Sequence, residues 1–440
     1  MLENRRMSLP TKPFDYALEY FKQQSTSPTQ ILTEIDASAR RHSFAQFDAV
    51  LPTTRKRVRA ESECNPIRKD HYLDSDIAKK HKKRLDFSER LLQKDNLSYS
   101  MILSNINQIC DQKINFGTNW PFDSKLNSFI KQNEKNPLTN LTLSIINYHN
   151  SKTPFFSKND ILKLQNFMLR IEKSYQDCEY HNNFHACDVV TATEVLMNKI
   201  ESKKKVKVFS PEERFSTLLA AACHDVGHPG VTSEHIYKFY KPKRIQRLFF
   251  DENLGEERGH AGMLERFHVS LSYAYLESSG LDILGENNKV NFEIGEKTVR
   301  EKFLENFQKC ILATDMTKHK NAIDSLKTIN LNKKVPHPSE ILPIIVHLAD
   351  LSNPAKDFFD ALNWGNRVVS EFFEQGDVEK AFGSESVNKV FDRQGGRLED
   401  IQIGFIQHLV VPLFVEWCEF LEDDLLMKLI YANLEIYQNR

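Results

Sequence analysis

Histidine and aspartate gather in three short segments of this 440-residue chain. The first runs from Tyr180 to Val190 and sets His181 and His185 four residues apart, one turn along one face if the segment is helical. The second ends the apolar, alanine-rich run from Leu218 to Cys223 with the adjacent pair His224 and Asp225; His228 follows, and Pro229-Gly230 then stops regular structure. The third places Asp350 after the apolar run Val346-His347-Leu348-Ala349. Imidazole nitrogen and carboxylate oxygen suit a borderline-soft ion such as Zn²⁺, whereas harder Mg²⁺ or Mn²⁺ accepts one carboxylate and keeps its waters. One carboxylate between two ions can bridge them, and two ions roughly 3.5–4 Å apart can share a hydroxide that attacks phosphorus. The chemistry this points to is phosphoester hydrolysis. A lone histidine is more often a satisfied core or surface residue, and Asp350 alone would read as a cap or turn. The argument for ligands is the convergence of several such residues at the ends of apolar runs.

The elements that must carry these residues read as helices. Ile161, Leu164, Met168, Ile171 and Tyr175 advance by 3, 4, 3 and 4, so one face of a helix is apolar just before the first histidine segment. Phe303, Phe307 and Ile311 repeat the pattern, as do Phe405, Leu409, Leu413 and Trp417. Strand-like alternation is scarce and no repeat recurs at a fixed period. The expected fold class is all-α: one large multi-helix domain over 115–440 with ligands on long loops, preceded by a linker or helix over 91–114.

Residues 1–90 differ. They hold 18 Lys and Arg against 13 Asp and Glu, near +5, with basic runs RKRVR at 55–59 and KKHKKR at 79–84. Scattered Ser, Thr and Pro and little periodicity predict a largely disordered regulatory arm, or merely a solvated extension. The whole chain balances 59 basic against 60 acidic residues, which argues against a general nucleic-acid binder. The RKRVR run lacks aromatic interleaving, so it reads as a nuclear address at most. Seven cysteines without a C-x-x-C pair suit reduced thiols. With no signal-like apolar stretch at the start and no membrane span expected, a cytoplasmic location follows.

The segments YHNNFHACDVV (180–190), HDVGHPG (224–230), ILATDMTKH (311–319), HLADLSNP (347–354), EFFEQGD (371–377) and IQIGFIQHLVVPLFVEW (401–417) together resemble the class I cyclic nucleotide phosphodiesterases, of the HD superfamily. The resemblance covers roughly 115–440 and keeps the family's order. It implies that His185, His224, Asp225 and Asp350 hold a tightly bound ion, Zn²⁺, with Asp225 bridging to a second, Mg²⁺ or Mn²⁺. It makes His181 the general acid that protonates the departing 3′-oxygen, and it sets His228, Glu265, His268 and Thr314 around the metal waters. For the nucleotide it implies Tyr180, Met316, Leu351, Asn353, Val368, Gln402 and Phe405: Gln402 reads the purine edge while Phe405 and Val368 close a flat apolar slot. Asn353, in the A-D-x-x-N-P form, resembles the cAMP-preferring subfamilies. Ala361 stands where some of those carry a tyrosine that fixes the glutamine amide, which leaves cGMP open.

The pattern also breaks. Ser233 takes the place of an asparagine, Glu265-Arg266-Phe267-His268 replaces E-N-H-H, and the stretch between is longer than the family's. Residues 382–400 depart too and are expected to form a loop over the pocket. Two readings remain beside cyclic nucleotide hydrolysis: another HD-type phosphohydrolase, such as a nucleotidase or nuclease, and a non-catalytic cyclic nucleotide scaffold. Arg5-Arg6-Met7-Ser8 and Arg40-Arg41-His42-Ser43 both read R-R-x-S, the pattern favoured by cAMP-dependent protein kinase, so Ser8 and Ser43 are candidate phosphorylation sites under negative feedback.

Overall fold

The computed structural model describes residues 76–91, 110–205, 207–240, 250–251, 256–257, 260–281, 298–333, 335–384 and 387–440. Ser8, Ser43 and the 55–59 run lie outside them.

Local sequence starts several of the helices. Ser157 and Asp160 form a capping box at the head of α4 (Lys158–Ser174), Ser210 and Glu213 do so for α6 (Pro211–Cys223), and Thr298 and Glu301 for α8 (Val299–Leu312). Before α4 come α1 (Asp76–Leu91), α2 (Asp123–Gln132) and α3 (Pro137–Lys152), while α5 (Asn183–Lys204) follows it. The chain continues through α7 (Met263–Ser278), α9 (His319–Asn332), α10 (Pro338–Asp350), α11 (Phe358–Ala381), α12 (398–421) and α13 (Leu425–Gln438). A π-helical turn over Ile406–Val410 interrupts α12. Among the described residues the only strand pairing is two residues long, Phe250–Asp251 against Glu256–Glu257, so the architecture is all-α.

Helices α5, α6, α8 and α10 pack on one another at the centre, with α3 and α4 on one side and α12 and α13 on another. Of the four central helices, α5, α6 and α10 are buried nearly all round, and Val189, Val190, Leu218, Leu219, Ile345 and Val346 have no exposed surface, whereas α8 buries Phe303, Phe307 and Cys310 and exposes Arg300, Glu301 and Lys302. The expected stripe on α4 is buried from Ile161 to Ile171, with Tyr175 as its C-cap. Among the described residues one continuous stretch, Leu398–Leu421, is apolar and long enough to cross a bilayer by composition. Its Val410, Leu413, Phe414 and Trp417 lie fully in the protein core instead.

The arm boundary expected at residue 90 needs correction. Residues 76–91 form α1, whose Ala78, His81, Leu85, Ser88 and Leu91 recur at helical spacing and are buried against the domain. The basic run at 79–84 hid this stripe, because most of its lysines face outward while His81 and Arg84 face in. Of the segment 91–114, residues 92–109 fall outside the described part.

Candidate metal and proton-transfer site

Three helix termini meet at the site. Asn182 caps α5, its Oδ1 accepting from the backbone N–H of Phe184 and His185, so His185 sits in the first turn with its ring fully buried. His224 is the C-cap of α6, and its Nδ1 donates to Ala221 O at 2.8 Å, which leaves Nε2 as the free lone pair. Asp350 is the last residue of α10. The expectation that His181 and His185 share a helix face fails here, because the cap at Asn182 starts the helix after His181. The two rings are instead 6.1 Å apart and nearly perpendicular, one on the helix and one in the turn before it.

Four donor atoms converge. His185 Nε2 lies 3.0 Å from Asp350 Oδ1 and 3.7 Å from Asp225 Oδ2; His224 Nε2 lies 3.1 Å from Asp225 Oδ2 and 3.4 Å from Asp350 Oδ1; the two Nε2 atoms are 3.3 Å apart. Ligands about 2.0–2.2 Å from one tetrahedral ion would stand about 3.4 Å from each other; His185, His224 and Asp225 are mutually close enough to hold a divalent cation, and Asp350 Oδ1 stands within 3.4 Å of both imidazoles. The other carboxylate oxygen of Asp225, Oδ1, faces His268 Nε2 at 3.8 Å, so this residue presents one oxygen to the cradle and one away from it. Burial opposes ionisation of Asp225, yet His224 and His181 hold its carboxyl well below the usual range.

On the far side of Asp225 stand His181, His228 and Glu371. His181 Nδ1 bonds Glu371 Oε1, and Glu371 Oε2 accepts from the backbone N–H of Tyr180 at 2.9 Å and of His181 at 3.2 Å. Burial works against the imidazolium of His181, but Glu371 and Asp225 outweigh it and raise the group to about 9. Glu371 is buried too, and His181 nonetheless brings it down to about 2. His228 stacks on His181 with ring centroids 3.9 Å apart and accepts from Gly230 N–H at Nδ1; burial and the neighbouring His181 push it well below the ordinary imidazole value. His181 is thus the ring suited to carry a proton, and His228 stays neutral.

Around these lie the remaining expected residues. His268 donates from Nδ1 to Val226 O at 2.8 Å, and burial lowers it to about 4. Glu265 has a buried Oε2 with no hydrogen-bond partner; burial and Asp315 raise it to about 7. Thr314 donates to Ile311 O at 2.9 Å, which leaves its oxygen lone pairs for a water. The divergent position Ser233 touches this region, its Oγ accepting from Leu264 N–H at 3.4 Å.

The expected nucleotide residues are more scattered. Asn353 is buried and already engaged: Oδ1 accepts from the Tyr180 hydroxyl at 2.6 Å and Nδ2 donates to Asp188 at 2.9 Å, while Asp188 is paired with the buried Lys356 at 2.7 Å. Its carboxamide orientation is therefore fixed from behind. Gln402 is buried on α12 and packs on Gly365, where a Cβ would stand 3.1 Å from its Cδ. Leu351 is buried, Val368 and Phe405 are half-buried, and Met316 is exposed. Residues 387–397 form turns between α11 and α12, with Phe391 packed on α11 through Phe372.

Sequence reasoning missed four contributors. Glu371 lies within EFFEQGD without any local mark of its role; Asn182 carries an N-cap signature that could have found it. Trp364 packs 5.8 Å from both Tyr180 and His185, and Tyr437 reaches Gln402's neighbourhood from α13, its hydroxyl 3.2 Å from where a Gly365 Cβ would be. No local pattern marks either.

An all-helical fold with a two-histidine, two-aspartate cradle beside a carboxylate-held histidine defines the class. The profile of the 3′5′-cyclic nucleotide phosphodiesterase family matches residues 180–429, and the chain belongs to that family. It is 30% identical over 316 residues to the probable 3′,5′-cyclic-AMP phosphodiesterase pde-4 of Caenorhabditis elegans, covering 69% of this chain and 43% of that protein. It is 31% identical over 288 residues to 3′,5′-cyclic-AMP phosphodiesterase isoform F of Drosophila melanogaster, covering 62% and 40%. The chain thus spans less than half the length of these relatives. A solved structure of LmjPDEB1 in complex with IBMX shares the fold, with TM-score 0.58 and 21% identity over 80% of this chain and 97% of that one.

Proposed function

We propose that the chain hydrolyses a 3′,5′-cyclic nucleotide, cAMP in the first place, to the 5′-monophosphate. The observation that carries this is the convergence of His185, His224, Asp225 and Asp350 beside His181 on Glu371, in a member of this family. His185, His224, Asp225 and Asp350 would hold the tighter ion, Zn²⁺, and Asp225 would also serve a second, Mg²⁺ or Mn²⁺. Divalent cations bound there would supply Lewis acidity, lowering the pKa of water and offsetting charge on the phosphoryl oxygens. The remaining work belongs to side chains. Glu371 keeps Nδ1 of His181 protonated and orients the ring, so that Nε2–H delivers a proton to the departing 3′-oxygen. Glu265, with its orphaned carboxylate oxygen, and His268 orient waters. Asn353, locked by Tyr180 and Asp188, and Gln402, seated on Gly365, read the base, while Phe405 and Val368 flank it and Met316 and Leu351 complete the pocket.

The lean to cAMP is supported by the relatives' names and by Asn353. The test is purified chain with cAMP and cGMP separately, under Zn²⁺ with Mg²⁺ or Mn²⁺, reading 5′-nucleotide. Turnover of neither would overturn the reading, and the nuclease and scaffold alternatives would then regain their place. The R-R-x-S copies support a further step, phosphorylation of Ser8 or Ser43 by cAMP-dependent protein kinase; failure of kinase to label either serine would remove it. A cytoplasmic location is supported by thiols that are unpaired at all six described cysteines.

A further inference from the structure

We infer that α1, which lies ahead of the family-matched region, is a positioning element for the proton-transfer half of the site, acting through Arg84 and Ser88. The inference rests on the function proposed above. It stands on where the buried face of α1 makes its polar contacts. Ser88 Oγ donates to Gly227 O at 2.7 Å and accepts from Gln176 Nε2 at 2.9 Å, and Gln176 also reaches His228 O at 3.2 Å. Arg84 Nη2 donates to Asp177 O, while its Nη1 reaches Glu374 at 3.3 Å. Lys80 bonds the same carboxylate at 2.9 Å, and His81 Nε2 stands 3.5 Å from it.

Every one of these partners neighbours a proton-transfer group. Asp177 and Gln176 lead into the turn that carries His181; Gly227 precedes His228; Glu374 lies one helical turn beyond Glu371, the carboxylate that holds His181. The fit is close enough to dictate sequence. Gly227 has φ +76°, and a Cβ there would meet Leu91 Cδ1 of α1 at 3.1 Å and Phe267 at 3.0 Å. Gly230 has φ +75°, and a Cβ there would meet Arg84 Nη1 and Cys178 Sγ, both at 3.1 Å. Both left-handed glycines of the HDVGHPG segment therefore lie against α1. None of the contacts just named involves His185, His224 or Asp350. These contacts fall on the turns that carry His181 and His228, whose rings stack at 3.9 Å, and on Glu374 of α11.

A small shift of a donor away from its leaving group can lower turnover by about 10²-fold while leaving ground-state binding nearly untouched, and that is the signature expected of α1. The experiment uses the full chain and four variants: Arg84→Ala, Arg84→Lys, Ser88→Ala, and Lys83→Ala as an outward-facing control. Metal-replete protein is assayed on cAMP, and amide hydrogen exchange is followed without substrate. For Arg84→Ala the expected result is a kcat lower by roughly 10–100-fold with KM within about threefold. Faster exchange should be confined to peptides covering 176–182 and 226–230. Arg84→Lys, which keeps a cation opposite Glu374, should recover part of the rate; Ser88→Ala should show a smaller loss, and Lys83→Ala none. A folded Arg84→Ala with wild-type kcat and exchange overturns the inference. So does a loss in which exchange rises throughout the domain, which would mark α1 as general scaffolding. If Arg84→Ala does not fold, Arg84→Lys and Ser88→Ala decide by the same criteria. An inactive wild type would sink the proposed function instead, and the exchange data would still judge whether α1 holds these turns.

Discussion

The metal cradle and the base-reading end proposed beside it are built by different means. In the cradle, each donor sits at or beside a helix terminus and is fixed by its own backbone: Asn182 caps the helix that carries His185, Ala221 O holds His224, and Asp350 closes α10. At the base end, Gln402 and Phe405 lie in the first turns of α12, ahead of its π-helical turn, and Gln402 is seated on Gly365 of α11 with Tyr437 of α13 close by. The two ends meet on one turn of α11, where Trp364 packs toward Tyr180 and His185 while Gly365 seats Gln402. Termini give geometry that tolerates little, and helix flanks give geometry that can be tuned.

The comparison predicts its largest effects in the cradle. His185→Ala and Asp350→Asn should each remove the tight ion, measured by metal analysis of the purified protein, and reduce turnover by at least about 10⁴-fold. Retained zinc with intact turnover would show that the four convergent atoms are not the ligand set. His181→Ala should behave otherwise, keeping its metal while kcat falls by roughly 10²–10⁴-fold. Loss of metal in that variant would erase the division between cradle and donor.

The donor also sets a pH dependence. Glu371 and Asp225 raise His181 to about 9, so the acid is present below that value and lost as pH rises through it. Cations bound by Asp225 offset part of this, so the alkaline limb of kcat should fall at or below pH 9. Glu371→Gln removes the main raising partner, and the limb should move to lower pH by roughly one to two units. An unmoved limb would assign it to another group.

Legibility in the sequence follows the same division. The convergence of His185, His224, Asp225 and Asp350 is legible because His224, Asp225 and Asp350 close apolar runs and His185 stands in a histidine-rich segment; the helical fold is legible because its core faces repeat at helical spacing. The spacing of four suggests one helix face for His181 and His185, but it carries no information on where the helix starts, and the cap at Asn182 starts it after His181. Glu371 escaped notice because a carboxylate in a helix is ordinarily solvated, and only the fold shows it buried against His181. Helix α1 was hidden under its own charge, since a basic run reads as solvated until Glu374 is seen to collect Lys80, His81 and Arg84. Asn353 was expected to face adenine; that its amide is already held by Tyr180 and Asp188 depends on residues more than 160 positions away.

Smaller effects belong at the base end. Gly365→Ala places a methyl 3.1 Å from Gln402 Cδ, so the glutamine must give way by a few tenths of an ångström. Metal content should be unchanged, while KM for cAMP rises by about three- to tenfold, the scale of a misfitted contact in a pocket. An effect on kcat alone would place Gly365 with the donor, contrary to the comparison.

The smallest change concerns one oxygen. The Tyr437 hydroxyl is buried without a hydrogen-bond partner, and burial raises its pKa to about 12. An unsatisfied buried hydroxyl costs about 1–3 kcal/mol, so Tyr437→Phe should leave the fold as stable or raise its melting temperature by a few degrees. A group kept at that cost beside Gln402 has a use if it steadies the amide once a purine is bound. The variant should then lose discrimination, with the cAMP to cGMP ratio of kcat/KM falling by about two- to fivefold. A more stable protein with unchanged discrimination would mean that Gly365 packing alone orients Gln402, and that the base end, like the cradle, is set by backbone.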